Sequence, residues 1–307
     1  MRDRMKRAAM SRQKSARGKL WSAAFVLSAG VMLFSGYKLI EGQLEYKRAN
    51  DTYADIGATF VKPPATTAPQ PTAAPPEPQP TGSSPNAPVP SGGYAQADES
   101  DEPDEPVGSD YMHEPAPDYW PQVDFDGLRS VNPDFVAWLL CPGTNVNHPV
   151  VQGQDNDYYL THMFNGTRNS AGSLFLDYRN SAGFADRNTI IYGHHMRNRN
   201  MFWTLTQYKS QSFYNAHPAF RLLTPDGNYE IQLFAGYVAS ENDDAWRTYF
   251  VSDEDFLAWL SRSWERSTFS ADVPLDAGDR IVTLSTCTYD FKDARYVLLG
   301  KLVPVSP

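Results

Sequence analysis

Hydrophobic positions in this chain fall into two regimes separated by a long polar stretch. Near the start, Leu20 to Tyr37 are 18 consecutive residues without a charge, rich in Leu, Val, Phe and Ala. That length just crosses the hydrocarbon core of a bilayer as a helix. Residues 41–62 mix charged and aromatic positions and suit a short helix beside the membrane. Beyond residue 122 the pattern changes to short apolar runs: Val146–Val151, Gly172–Asp177, Thr189–Tyr192, Phe220–Leu223, Tyr229–Ser240, Asp279–Ser285 and Tyr296–Leu302. Turn signals divide them, among them Pro142-Gly143 and Pro225-Asp226-Gly227. Short, regularly spaced strands predict a mainly β fold, a β-barrel with a few peripheral helices. One helix is expected over Asp126 to Leu140, with Phe135, Trp138 and Leu139 on one face and Pro133 as a start signal inside it. A second follows the capping pair Ser252 and Asp255, with Phe256, Leu260 and Trp264 lining one side. No internal repeat is visible.

The stretch between the regimes is compositionally distinct. Sixteen of the 24 prolines lie between Pro63 and Pro121, which excludes regular helix or sheet there. As polyproline II it would reach about 180 Å at ~3.1 Å per residue. The acidic run from Asp98 to Glu105 adds self-repulsion. These features predict four parts: a basic tail over 1–19, a membrane anchor over 20–40, a Pro-rich and acidic stalk over 41–121, and one globular domain over 122–307. On this reading residues 1–121 contribute little to folding.

Charge sets direction and partners. Eight Lys/Arg residues precede Leu20, so the positive-inside rule keeps the N-terminus in the cytoplasm and the domain outside. A cleaved signal peptide, with Ser28-Ala29-Gly30 as its small-residue site, is the alternative. The apolar run continues through Val31-Met32-Leu33-Phe34, which favours an uncleaved anchor. Residues 1–40 carry nine basic residues and one acid, whereas the rest carries 18 basic and 35 acidic residues. An acidic body argues against nucleic-acid binding. A mean hydropathy of −0.50 excludes a polytopic membrane protein. Two cysteines exclude a disulfide-stapled scaffold, and the scattered histidines show no zinc spacing, so neither a metal nor a cofactor is expected.

Candidate chemistry concentrates at the ends of two apolar strands. Ile190-Ile191-Tyr192-Gly193-His194-His195 delivers an imidazole into a loop. Ile281-Val282-Thr283-Leu284-Ser285-Thr286-Cys287 ends in small hydroxyl residues and a thiol. Arg295 begins the next strand. If 288–294 joins antiparallel neighbours, Arg295 returns close to Cys287, and thiol, imidazole and guanidinium share one pocket. Singly, each residue has an ordinary structural explanation. Jointly they suit nucleophilic catalysis. A free thiol has a pKa near ~8.5, and neighbouring positive charge raises its thiolate fraction. Cys287 is then the nucleophile, His194 the proton donor and acceptor, and Arg295 the donor to an oxyanion or substrate backbone. Cys141, before the Pro-Gly turn, suits a small buried apolar role. Its pairing with Cys287 in a disulfide is the reading that would exclude catalysis.

The set Tyr-Gly-His, Thr-Leu-Ser-Thr-Cys and a downstream Arg resembles the sortase family. The segments Val131–Leu139, Pro142-Gly143-Thr144, Pro149–Gln152, Asp155–Leu160 and Gly172–Asn180 are similar to class B sortases, so the resemblance covers essentially all of 126–303. It implies a cysteine transpeptidase on the outer face of a Gram-positive membrane. Such an enzyme cleaves a sorting signal near the C-terminus of a secreted protein or pilin. It then joins the new carboxyl end to an amine of peptidoglycan precursor or of a pilin. The matching catalytic positions are His194, Cys287 and Arg295, the Tyr-Gly-His frame favouring His194 over His195. Asn156, Leu160, Arg179 and Ser285 match positions that line the family's substrate groove. A hydrolytic cysteine endopeptidase and an inactive surface-binding barrel are the competing functional classes.

Overall fold

An apolar strand without polar alternation needs cover on both faces, and the C-terminal runs of this chain are of that kind. The computed structural model describes residues 2–64 and 116–305, with the side chains of 2–24 and 26 outside the description. A long helix, α1 (Arg2–Phe60), leads into a two-residue strand β1 (Val61–Lys62). After the break come β2 (Gln122–Val123), α2 (Phe125–Val131), β3 (Phe135–Leu140), β4 (Asn147–Val151), β5 (Leu174–Leu176) and β6 (Asn188–Tyr192). Then follow α3 (Gln211–Ala216), β7 (Ala219–Thr224), β8 (Gly227–Ser240), α4 (Asp253–Glu265), β9 (Ile281–Cys287) and β10 (Ala294–Val305). Eight strands close into a barrel in the order β10-β8-β7-β3-β4-β5-β6-β9. The β-barrel expectation is therefore met.

The barrel wall separates two apolar layers. Val282, Leu284 and Leu298 point into the barrel and pack with Trp138 and Leu174. Ile281, Val297 and Leu299 point outward and are covered by Phe256, Trp259 and Leu260 of α4. The α4 helix starts as the sequence predicts, with the Ser252 hydroxyl accepting from the Asp255 N–H.

The helix expected over 126–140 is corrected. It stops at Val131, and Phe135–Leu140 is a central strand paired with β4 and β7. Asn132 is extended ahead of Pro133, as the residue before a proline prefers. Trp138, Leu139 and Leu140 are all fully buried. With both faces covered the two-residue alternation vanishes, and the run reads as helical by spacing alone.

The expected stalk is corrected at both of its ends. On α1, Ala49, Tyr53 and Ile56 share one face at helical spacing and are buried against the barrel. Val61 pairs with Val123 and Lys62 with Gln122 in an antiparallel ladder, and the Asp124 N–H donates to the Phe60 carbonyl. The Pro-rich segment thus leaves and re-enters the domain at one place and cannot act as a spacer between α1 and the barrel. Residues 65–115, which hold most of its prolines and the acidic run, lie outside the described residues. So, in side-chain detail, does the start of the segment 20–40. Among the described residues no helix is long and apolar enough to cross a membrane.

Candidate active site

Backbone pairing places two of the three predicted catalytic residues, Cys287 and Arg295, before any side chain is considered. Strands β9 and β10 are antiparallel neighbours, with Arg295 directly opposite Cys287. Cross-strand partners of this kind have Cβ atoms about 4.5–5.5 Å apart on the same face. On the other side β6 runs parallel to β9, with Tyr192 in register with Ser285. His194 is two residues past Tyr192, and Cys287 two past Ser285. Past the paired stretch the Gly193 N–H donates to the Ser285 carbonyl at 3.1 Å, and the Thr286 side-chain hydroxyl to the Gly193 carbonyl at 2.8 Å. Cys287 and Arg295 therefore face each other at the ends of β9 and β10, and His194 follows the end of β6 on the other side of β9. Gly193 lets the chain pack closely here, because a Cβ on it would lie 2.7 Å from the Phe202 ring.

The odd-numbered residues of β9 face out of the barrel, so the site lies on its outer wall. The connection from β8 to α4 roofs that wall over Ser285. Buried Asn188 on β6 fixes this roof by donating to the carbonyls of Ala245 and Arg247 at 3.3 and 2.8 Å, while accepting from the Thr283 hydroxyl at 2.7 Å. Trp246 then donates its indole N–H to the Ser285 hydroxyl at 3.1 Å. A cleft of about 620 Å³ results, lined by Arg179, Tyr192, Trp246, Tyr249, Ser285 and Arg295. It joins two of the predicted groove residues to one of the predicted catalytic ones.

Arg179 is aimed by a fully buried carboxylate. Its Nε donates to Asp177 Oδ1 at 2.9 Å and its Nη2 to Asp177 Oδ2 at 2.7 Å, and the Tyr192 hydroxyl donates to Oδ2 at 2.9 Å. Burial pushes the Asp177 carboxyl up, but the Arg179 fork, the Arg179 backbone N–H and Tyr192 outweigh it and hold it below the usual carboxylate range. Burial, followed by the adjacent Asp177 charge, pushes the Tyr192 phenol well above its ordinary value, so it remains a donor.

The remaining predicted residues form the wall beside His194. Nε2 of His194 lies 2.7 Å from the Leu160 carbonyl. A carbonyl only accepts, so Nε2 is the donor in this contact and Nδ1 is the ring nitrogen it leaves open. Leu160 thus contributes its backbone as well as a side chain at the surface. Asn156 accepts from the Tyr178 N–H at 3.1 Å, which ties the 155–160 segment to the strand end that carries Arg179. His195 turns the other way: its ring packs edge-on against Tyr289 and its Nε2 lies 3.4 Å from the Thr206 hydroxyl. The loop after Cys287 is held by Lys209, whose ammonium donates to both Asp290 oxygens at 2.7 Å.

Both cysteines are free thiols, with Cys287 partly exposed and Cys141 fully buried. Burial raises the Cys141 thiol to about 11, and its sulfur lies 3.6 Å from the Tyr208 hydroxyl. Its structural role is as the sequence indicates. Asp177, Tyr192 and Trp246 were not singled out from sequence. The first two belong to the segments that carry the resemblance. Trp246 sits in a polar connection where no periodicity marks it.

The chain is similar to several known proteins. A sortase domain model matches residues 139–303. Sortase B of Listeria monocytogenes is 40% identical over 178 residues, covering 57% of this chain and 72% of that protein. Sortase B of Staphylococcus aureus is 37% identical over 184 residues, covering 59% and 75%. Among solved structures, a Staphylococcus aureus sortase B–substrate complex matches with a TM-score of 0.57 at 37% identity, covering 59% of this chain and 85% of that one.

Proposed function

The chain belongs to the sortase family, on the class B side, and is a cysteine transpeptidase; from that premise we propose that it cuts a C-terminal sorting signal of secreted proteins and transfers the acyl part to an amine of peptidoglycan precursor or a pilin. The observation that carries the reading is Arg295 directly opposite Cys287 across β9 and β10, with His194 two residues past Tyr192, which is in register with Ser285. A relative solved in complex with its substrate supports substrate binding by this domain.

The Cys287 thiolate attacks the scissile carbonyl carbon. The carbonyl π pair moves to oxygen, where the Arg295 fork stabilises it as hydrogen-bond donor. As the tetrahedral centre collapses, the C–N bond breaks and the imidazolium of His194 gives its Nδ1 proton to the departing amine. A thioester remains. An incoming amine attacks it, the neutral Nδ1 takes the proton, and the thiolate leaves. Arg179, fixed by Asp177, binds the signal peptide in the cleft beside Ser285. The enzyme is held at the outer face of the cell membrane by residues 20–40, with the basic tail in the cytoplasm. The uncharged run and its eight preceding Lys/Arg residues support that orientation.

Incubation with the secreted proteins of its own cell, with and without an added amine such as triglycine, tests the reaction. Amine-dependent products that vanish in Cys287→Ala are expected. Cleavage by water alone, unaffected by the amine, would make it a hydrolase. On intact protoplasts an external protease should release the domain; a protected domain would reverse the orientation.

A further inference from the structure

The ring of His194 is set by two loops, and both are tied to α1. The first is the 158–173 segment, which presents the Leu160 carbonyl to Nε2. Gly172 lies hard beneath that carbonyl: a Cβ on it would meet the Tyr159 and Leu160 oxygens at 2.5 and 2.9 Å. The Gly172 carbonyl in turn accepts the buried hydroxyl of Tyr53 at 2.5 Å, and the Phe164 N–H donates to the same hydroxyl at 3.4 Å. About two turns away on α1, Glu45 accepts from the Ser170 N–H at 2.8 Å. The second loop is the hairpin after His194, closed by the Phe202 N–H donating to the His194 carbonyl at 3.0 Å. Its tip carries two non-glycine residues with positive φ, Arg199 at 61° and Met201 at 53°. Such conformations persist only where the surroundings hold them. Here Asn50 of α1 does so, accepting from Asn200 Nδ2 at 2.9 Å and from Asn198 Nδ2 at 3.3 Å.

We infer that α1 is part of the catalytic apparatus, with Tyr53 and Asn50 as positioning residues that clamp the two loops fixing the His194 ring beside Cys287. The inference rests on the proposed role of His194. It gives the N-terminal helix a duty beyond attachment, since Tyr53 bridges to the reacting histidine through one glycine and one carbonyl. Burial raises the Tyr53 phenol to about 12, so this clamp stays a donor throughout the working pH range.

The test uses the full-length chain and iodoacetamide, with alkylation of Cys287 followed by intact mass. Tyr53→Phe keeps the ring, which packs edge-on against His148, and removes only the hydroxyl. A misplaced His194 supports less thiolate, so alkylation at pH 7 should slow about tenfold. At pH 10, where a thiol ionises without help, the rates should converge. In a His194→Ala background Tyr53→Phe should change nothing. Asn50→Ala, which releases the hairpin instead, should give the same pattern and carries the test if Tyr53→Phe does not fold. An unchanged rate at pH 7 would overturn the inference. So would an equal slowing in the His194→Ala background or at pH 10, which would mark a general loosening. If His194→Ala itself alkylates like the native chain, the role given to His194 fails, and the inference with it.

Discussion

Replacing Asp177 by asparagine isolates what one buried carboxylate does for the cleft. The carboxylate accepts four hydrogen bonds, from the Arg179 backbone N–H, Nε and Nη2 and from the Tyr192 hydroxyl. Asparagine can keep the two at Oδ1. At Oδ2 it puts an NH2 group against Nη2 and the phenol, so two bonds to a charged group are lost. Each is worth about 1.5–3 kcal/mol. The Arg179 side chain is 43% exposed, so water replaces part of what it loses and the lower half of the range applies, roughly 3–4.5 kcal/mol in all. For a domain of about 150–250 residues each kcal/mol moves Tm by about 2–4 °C, so Asp177→Asn should melt roughly 6–18 °C lower at pH 7. A pH series sharpens the test. The native carboxyl titrates below its ordinary value, so its contribution is complete above the unfolded pKa of about 3.9 and is lost as pH falls through the native value. The Tm gap between native and variant chains should be constant from about pH 5 to 8 and close under acid conditions below about pH 4. The freed Arg179 should also raise KM for the signal peptide more than it lowers kcat. A gap of less than about 1 °C at pH 7, or one that widens on acidification, would refute the reasoning.

Three further outcomes follow from the geometry. Native protein treated with iodoacetamide should take up one label at Cys287 and none at fully buried Cys141, and Cys141→Ala should retain most activity; equal labelling of both would show that the barrel opens. Arg295→Lys keeps the charge but not the planar fork, so its kcat should fall nearly as far as that of Arg295→Ala, on the order of 10²–10³; a near-native Arg295→Lys would make the residue a point charge. A chain starting at residue 116 loses the buried face of α1, including Tyr53 and Ile56 at about 1.5–3 kcal/mol each, and should melt well below the full chain; an equal Tm would mean that α1 does not pack on the barrel in solution.

The chemistry of this protein was legible in its sequence because it sits on local features. A strand that ends in Thr-Cys, another that ends in Tyr-Gly-His, and an Arg eight residues after the Cys are short-range patterns. The barrel class was legible for the same reason, since turn residues punctuate short apolar runs. The capping pair at Ser252 and Asp255 marked α4 directly. Continuous burial hid the rest. Phe135–Leu140 is covered on both sides, so the alternation that distinguishes a strand was absent and the spacing suggested a helix. Tertiary structure alone decided how distant segments meet. Parallel pairing of β6 with β9 sets Tyr192, two residues before His194, in register with Ser285, two residues before Cys287, across 93 positions of chain, and no local pattern specifies that pairing. The Asp177–Arg179 fork depends on Tyr192 arriving from another strand, and the roof over Ser285 depends on a buried Asn188 reaching the carbonyls of 245 and 247. The clearest case is α1. Its sequence beyond the uncharged run mixes polar and aromatic residues and suggests little. Whether Ala49, Tyr53 and Ile56 form a spacer or a packed face depends on a partner surface more than 100 residues away, and so does the fate of the Pro-rich segment, whose flanks are joined by two residue pairs.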